Sequence, residues 1–186
     1  MDQLEFLDRV VECLDRCGVE HMVTGSLASG YHGEPRATRD IDFVIDCDER
    51  QLSELLARVH AHGWYVSDDA AHDALRRRSM FNVIETAYGH KADLMIRRDR
   101  PFSIEEFGRR RRVELLDARD VSVASAEDTI LAKLEWSSET ESDRQRLDAL
   151  GVVRASVSLD LEYLRRWATE LGLRDDLEKI LAGDTE

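Results

Sequence analysis

Proline and cysteine are scarce in this sequence, and long apolar runs are missing from it. Only 2 of its 186 residues are proline and 3 are cysteine, so we expect neither a proline-rich linker nor a disulfide framework. None of its apolar stretches approaches the roughly 20 residues that a membrane-spanning helix requires. The amino-terminal stretch MDQLEFLDRVVECLDRC is acidic and amphipathic, unlike a signal peptide. We therefore expect a cytoplasmic protein that does not enter a membrane.

The few cysteines do not indicate a metal site. Cys13, Cys17 and His21 follow one another at intervals of four residues. Thiols on the apolar face of a helix are most often buried core residues, and we interpret these cysteines in that way rather than as zinc ligands. An apolar fraction of 42% in a chain of 186 residues is enough to form a core without disulfides or a structural metal.

Positive charge is concentrated in one part of an otherwise acidic chain. The net charge is −13, yet residues 76–112 contain 11 Lys and Arg against 5 Asp and Glu. This segment includes the runs RRR, RRDR and RRRR. Such runs either contact a polyphosphate, as in RNA, or lie on solvated helix faces and turns. The sequence leaves both interpretations open.

The hydrophobic pattern predicts a mixed α/β (α+β) unit followed by helices. A first helix with apolar residues at helical spacing ends near Gly18, and the short segments HMVTG, DIDFVID, MFNVIE, KADLMIR, RVELL and VSVAS are predicted strands, the last two at sheet edges. We predict helices at SLASGYH, DERQLSELLARVHAHG and SIEEFGRR, and only helices from residue 125 onwards. We therefore expect a small mixed β-sheet flanked by helices in residues 1–124 and a C-terminal helical bundle in residues 125–186.

Three helix starts carry capping signals. Ser26 is a good N-cap for the short helix SLASGYH. Asp48 with Gln51, and Ser125 with Asp128, have the spacing of capping boxes.

Two aspartates lie on one face of the predicted strand DIDFVID. Side chains alternate along a strand, so Asp40 and Asp42 project together while Ile41 and Phe43 take the opposite, buried side. The two carboxylates repel each other, and a pair of divalent cations would offset that repulsion. Hard oxygen ligands suit Mg²⁺. The strand therefore predicts a magnesium site.

A third carboxylate is expected from a neighbouring strand. Asp93 fits because it lies within the apolar strand segment KADLMIR. Asp46 is the alternative, since it shares the face of Asp40 and Asp42, but it closes its strand and is typical of a turn residue.

A Gly-Ser pair precedes the short helix that starts near Ser26. Glycine lets a phosphate approach the backbone, and the amino end of a helix offers free N–H groups and a positive dipole. Placed about fifteen residues ahead of the Asp-x-Asp strand, Gly25 and Ser26 are suited to bind the phosphates of a nucleotide that carries metal ions.

Together these motifs resemble a known family. The pair GS, the strand DID and the segment ADLMI are similar to the signature of the polymerase-beta-like nucleotidyltransferase superfamily. The longer stretch RATRDIDFVI resembles the bacterial branch that includes AbiEii- and MenT-type toxins. SAEDTILAKLEW and SDRQRLDAL resemble two later helices of that branch, although Gln145 departs from its pattern. The resemblance spans residues 23–150.

The resemblance implies a nucleotidyltransferase fold and a role for each matching residue. It implies that Asp40, Asp42 and Asp93 are catalytic and hold two Mg²⁺ ions, with Asp93 also helping to deprotonate the acceptor hydroxyl. It also implies that either Arg36 or Arg39 offsets charge near the metals. The residues that it implies for binding an NTP substrate are Gly25, Ser26, Arg36, Thr38, Arg39, Lys133 and Asp148.

The expected activity is that of an enzyme of the EC 2.7.7 type. It would transfer NMP from an NTP to an acceptor hydroxyl and release pyrophosphate. The arginine-rich segment favours RNA, such as a tRNA end, as the acceptor, and a protein or an aminoglycoside remains an alternative. The resemblance to the AbiEii and MenT branch further implies that the protein is a toxin whose activity is masked by an antitoxin partner. The competing hypothesis is a catalytically degenerate module that binds a nucleotide or a partner protein.

Overall fold

A mixed β-sheet of six strands organises the first part of the fold. The computed structural model describes residues 1–38, 40–115, 120–140 and 142–183. Among these, the strands lie in the order β3-β4-β2-β1-β6-β5. The pairs β2/β4 and β1/β6 are parallel, and β3/β4 and β5/β6 are antiparallel. The strands are β1 (Glu20–Thr24), β2 (Asp40–Asp46), β3 (Met80–Glu85), β4 (His90–Ile96), β5 (Arg111–Glu114) and β6 (Asp120–Val123). The expected α/β fold class is confirmed, but β6 lies inside the sheet, because it pairs with both β1 and β5.

Helices occupy most of the remaining described residues. They are α1 (Gln3–Arg16), α2 (Gly25–His32), α3 (Glu49–Ala61), α4 (Asp68–Arg77), α5 (Pro101–Gly108), α6 (Ala126–Thr140), α7 (Asp143–Ala155), α8 (Leu161–Glu170) and α9 (Arg174–Ala182). Within the described ranges, none of these helices is long and apolar enough to cross a membrane.

The helix starts test the capping signals. Asp48 and Gln51 form the predicted capping box of α3. Ser125 caps α6 through its hydroxyl oxygen, which accepts the backbone N–H of Asp128 at 3.1 Å. The prediction that Ser26 is an N-cap was wrong, because α2 begins one residue earlier and has Thr24 as its N-cap.

Helix α4 has no counterpart among the predicted elements. Its buried side chains are only Ala71 and Ala74, so it lacks the large buried apolar residues by which the other helices of this part of the chain were identified. Local capping defines it instead. The hydroxyl of Ser67 accepts the backbone N–H of Ala70, and the C-cap residue Arg78 has a left-handed φ of 52°.

The chain forms two compact units that are not consecutive in sequence. The first unit contains Met1–Val23 and Thr38–Val123, and the second contains Thr24–Ala37 and Ala124–Glu186. The sequence interpretation predicted domains 1–124 and 125–186. The structure, however, groups the segment Thr24–Ala37 with the helical unit, because α2 packs against α6 and α7.

The core of the first unit lies on one face of β2 and β4. Ile41, Phe43 and Ile45 of β2 are each 0% exposed, and Leu94 of β4 is 1% exposed. Helix α1 contributes its own buried stripe, including Phe6 at 0% exposure. Burying these side chains fixes which residues of each strand are left to form the opposite face.

The second unit contains a close contact between two stretches of backbone. A Cβ atom on Gly33, directly after α2, would lie 2.8 Å from the carbonyl carbon of Gly151 and 2.8 Å from the nitrogen of Val152. Backbone atoms of a packed helix cannot yield as a flexible side-chain tip can. Glycine at this position therefore allows α2 to pack against α7.

We expect Gly33→Ala to lower the free energy of unfolding by about 1–3 kcal/mol, the range for forcing an extra methyl group into a packed interior. Gly108→Ala is the matched control, because a Cβ atom there has nothing within 4 Å. Urea unfolding followed by circular dichroism measures both. Equal stability of Gly33→Ala and the wild type would contradict the contact.

Candidate functional site

The parallel register of β2 and β4 brings acidic residues together on the polar face of the sheet. Asp42 is paired with Asp93, and Asp40 is paired with Lys91. Side chains on paired residues of adjacent strands point to the same face, opposite to the buried Ile41. The structure thus brings the three predicted aspartates onto one face of two neighbouring strands.

Lys91 lies between two of these carboxylates. Its Nζ atom is 3.2 Å from Oδ2 of Asp40 and 3.0 Å from Oδ2 of Asp93. Burial lowers the pKa of Lys91, but the hydrogen bonds to Asp93 and Asp40 together raise it by more. The pKa of Lys91 is therefore above its ordinary value. Lys91 is therefore an ammonium ion at neutral pH.

The sequence interpretation did not include Lys91 among the residues of this face. The signal was present, because Lys91 precedes Asp93 by two positions on the same strand and must share its face. Asn82 of β3 was missed as well. It is paired with Asp93 across the antiparallel ladder, and its Nδ2 donates a hydrogen bond to Oδ1 of that residue.

The aspartates differ in their surroundings. The side chain of Asp93 is 12% exposed and held by two donors, Lys91 and Asn82, whereas that of Asp40 is 49% exposed. Asp93 is therefore more firmly oriented than Asp40.

Asp46, the alternative third carboxylate, has a different role. Its Oδ2 accepts a hydrogen bond from Nε of Arg97 at 2.9 Å, and Arg78 approaches its other oxygen at 3.7 Å. These ion pairs connect the carboxyl end of β2 to Arg97, directly after β4, and to Arg78, directly after α4. We therefore regard Asp46 as a structural residue.

A divalent metal fits the chemistry of this face, although the three aspartates are not arranged around one. Among the described residues, no group of three or more His, Cys, Asp and Glu side chains is placed to hold a metal ion. Two of the predicted ligands nevertheless already hold a cation, the ammonium group of Lys91. Carboxylate oxygens are the donors that Mg²⁺ prefers. The three-aspartate metal site therefore stays a prediction.

Other predicted nucleotide-binding residues form a charged cluster in the second unit. Arg36 donates to both oxygens of Asp148, from Nε at 3.0 Å and from Nη2 at 3.1 Å. Lys133 donates from Nζ to Oδ2 of the same carboxylate at 2.8 Å. Arg36 also donates to the hydroxyl of Ser26. We call Ser26, Arg36, Lys133 and Asp148 the helical cluster.

The helical cluster is largely buried and carries more positive than negative charge. The side chains of Lys133 and Asp148 are 6% and 9% exposed, and Arg36 is 30% exposed. Two cations share one carboxylate. Burial raises the pKa of Asp148, but the hydrogen bonds from Arg36 and Lys133 together lower it by more. The pKa of Asp148 is therefore below its ordinary value.

Three further predicted residues complete the set. Gly25 has a φ of 61°, a left-handed conformation that any other residue would adopt only with strain. Thr38 donates from Oγ1 to the carbonyl oxygen of Asp40 at 3.1 Å, which supports the start of β2. Arg39 lies outside the described residues.

Several arginines of the arginine-rich segment form ion pairs with acidic residues. Arg76 and Arg77 both pair with Asp73, and Arg110 pairs with Glu20 at 3.1 Å. The arginines that bind Asp46 also reach Asp99. The described pairs favour the interpretation of these arginines as surface and turn residues.

The helical cluster should make stability depend on pH. The pKa of Asp148 is lower in the folded chain than its unfolded value, so its contribution to stability is present above the unfolded pKa of about 4 and is lost as the pH falls through the lower folded pKa. Asp148→Asn should lower the free energy of unfolding at pH 7 by about 3 kcal/mol, because two cations lose a buried partner. Its difference from the wild type should shrink towards pH 3.

Urea unfolding at a series of pH values measures this difference. The control is Asp73→Asn, which breaks exposed pairs and should cost no more than about 0.5 kcal/mol. A gap between Asp148→Asn and the wild type that stays constant from pH 7 to pH 3 would contradict the prediction.

Known proteins resemble this chain in structure. No protein-family model and no curated protein matches its sequence. An antigenic nucleotidyltransferase-like protein from Paracoccidioides brasiliensis matches at 16% identity with a TM-score of 0.60, over 98% of this chain and 94% of that one. The antibiotic-resistance factor ANT(2'')-Ia, in complex with adenylyl-2''-tobramycin, matches at 17% identity with a TM-score of 0.62, over 93% of this chain and 98% of that one. JHP933 from Helicobacter pylori matches at 16% identity with a TM-score of 0.50, over 99% of this chain and 82% of that one.

Identities this low establish the fold and not the activity. The structure therefore has the fold of nucleotidyltransferase-like proteins.

Proposed function

We propose that this protein is a nucleotidyltransferase that transfers NMP from an NTP to an acceptor hydroxyl and releases pyrophosphate. The observation that supports this most strongly is the register of β2 and β4, which sets Asp42 beside Asp93 and places Asp40 on the same face. Cations neutralise such a face of carboxylates. The substrate of this reaction is an NTP, which carries bound cations. The likeness in fold to ANT(2'')-Ia supports the same class of reaction.

The three aspartates share one task in this reaction, and Asp93 has a second. Asp40, Asp42 and Asp93 would hold Mg²⁺, which supplies charge neutralisation and orientation of the phosphates when bound. Asp93 accepts the proton of the acceptor hydroxyl, and Asn82 orients it through a hydrogen bond to Oδ1. The acceptor oxygen then forms a bond to the α-phosphorus as the bond to the leaving pyrophosphate breaks. Most of the catalytic effect comes from positioning and charge.

The helical cluster is assigned to the phosphates of the NTP. Arg36 and Lys133 are the two cations of this cluster, and cations are the groups that attract an anionic phosphate. Asp148 positions both cations, and Arg36 in turn orients the hydroxyl of Ser26. Gly25 allows the chain to turn into α2 with its backbone unobstructed by a side chain. Thr38 and Arg39 complete the proposed nucleotide-binding set.

The acceptor has two candidates. The resemblance to the AbiEii and MenT branch favours an RNA or tRNA end, with a toxin role and an antitoxin partner. The pairing of the arginine-rich segment with acidic residues weakens the electrostatic argument for RNA. The likeness to ANT(2'')-Ia in complex with adenylyl-2''-tobramycin favours the hydroxyl of an aminoglycoside as the second candidate.

Asp42→Asn should abolish transfer, because the proposed metal face loses the carboxylate that is paired with Asp93. The assay incubates the protein with each of four α-³²P-labelled NTPs, Mg²⁺ and either total RNA or tobramycin, and it measures labelled product and released pyrophosphate. Asp46→Asn is the control on the same strand and should retain transfer, since its carboxylate serves ion pairs.

The outcomes separate the competing hypotheses. Labelling by Asp42→Asn at the wild-type level would show that the site is assigned wrongly. Mg²⁺-dependent NTP binding by the wild type without product from either acceptor would favour the nucleotide-binding module. Growth arrest on expression, relieved by a neighbouring gene product, would support the toxin role.

A further inference from the structure

We infer that Lys91 is an internal counter-cation that competes with divalent metal for the carboxylate face of β2 and β4. Metal binding at that face requires the ammonium group to leave it. The inference rests on the proposed function for its biological meaning, but its chemistry depends only on the residues of the face.

The geometry supports competition for shared oxygens. Lys91 takes one oxygen from each of two aspartates, Oδ2 of Asp40 at 3.2 Å and Oδ2 of Asp93 at 3.0 Å. Oδ1 of Asp93 already accepts a hydrogen bond from Asn82. A metal ion held by Asp40 and Asp93 would need lone pairs that now face an ammonium group. The same oxygens cannot serve both cations at full strength.

The charges on this face determine how Lys91 affects metal binding. Asp42 and Asp93 are like-charged residues paired across adjacent strands, and Asp40 adds a third carboxylate to the face. Like charges in neighbouring positions of a sheet destabilise it, and one ammonium group placed between two of them offsets part of that repulsion. A divalent ion at the face would repel the ammonium group while neutralising the same carboxylates. Lys91 therefore stabilises the metal-free face and weakens its affinity for metal.

The released side chain has somewhere to go. Lys91 is 33% exposed, and its four-carbon stem is flexible, so its ammonium group can move into solvent without unfolding the strand. Once released beside bound metal, its three N–H donors are suited to an anionic phosphate group. Lys91 would thus favour metal that arrives together with a nucleotide over metal alone.

Removing the charge of Lys91 should tighten binding of metal alone. Mn²⁺ serves as the probe, because free Mn²⁺ is measured directly by electron paramagnetic resonance. We expect Lys91→Met to bind Mn²⁺ about tenfold more tightly than the wild type in the absence of nucleotide, which corresponds to about 1.4 kcal/mol. Lys91→Arg keeps the charge and should bind no more tightly than the wild type.

Lys179→Met is the matched control. It removes the same charge from α9 in the second unit, and Mn²⁺ affinity should not change. Affinity of Lys91→Met that equals or falls below the wild-type value would overturn the inference. It would also be overturned if Lys179→Met raised the affinity as much, since a change in net charge alone would then explain the result.

A second measurement uses the wild-type chain and does not depend on the folding of any variant. The sequence contains three lysines, Lys91, Lys133 and Lys179, so the extent of labelling by an amine-reactive reagent is easily assigned to each by mass spectrometry. Saturating Mn²⁺ should increase the labelling of Lys91 relative to Lys179. Unchanged or reduced labelling of Lys91 would contradict displacement.

Neither readout requires catalysis, so the two proposals fail separately. Tight Mn²⁺ binding by Lys91→Met without any nucleotidyl transfer by the wild type would support the cation competition and argue against the proposed function. Transfer by the wild type with unchanged Mn²⁺ affinity in Lys91→Met would do the reverse.

Discussion

The alignment of two parallel strands is the constraint on which the candidate site depends. Ile41, Phe43 and Ile45 must be buried, and this requirement fixes the face on which the intervening aspartates appear. A shift of β2 by one residue would bury carboxylates and expose the core side chains, at a cost that the fold could not sustain. The packing of apolar residues on one face thus determines the arrangement of charge on the other.

Charge is balanced separately in each of the two units. On the sheet, Lys91 contacts two aspartates, whereas in the helical cluster one aspartate is shared by an arginine and a lysine. In the first arrangement one cation bridges two carboxylates, and in the second one carboxylate bridges two cations. We propose the first group for a metal ion, which carboxylates attract, and the second for a polyphosphate, which cations attract.

Much of the fold was predictable because it depends on short-range patterns. Alternating residues identified β2, and Asp48 with Gln51 identified the start of α3. Helix α4 was missed because its buried residues are two alanines rather than large apolar side chains. The aspartates could be found from their types and spacing, but the contact of Lys91 with Asp40 could not. That contact depends on which strands are neighbours and in which register, and neither is encoded locally in the sequence.

The division of the chain also determines how it can be dissected. The backbone passes from one unit to the other after Val23, returns after Ala37 and leaves again after Val123. A fragment that ends at Val123 would keep α2 and Gly33 but lose the helices α6 and α7, against which that segment packs. Expressing the sheet unit by itself therefore calls for an internal excision that joins β1 to β2 through a new linker, rather than for a shorter open reading frame.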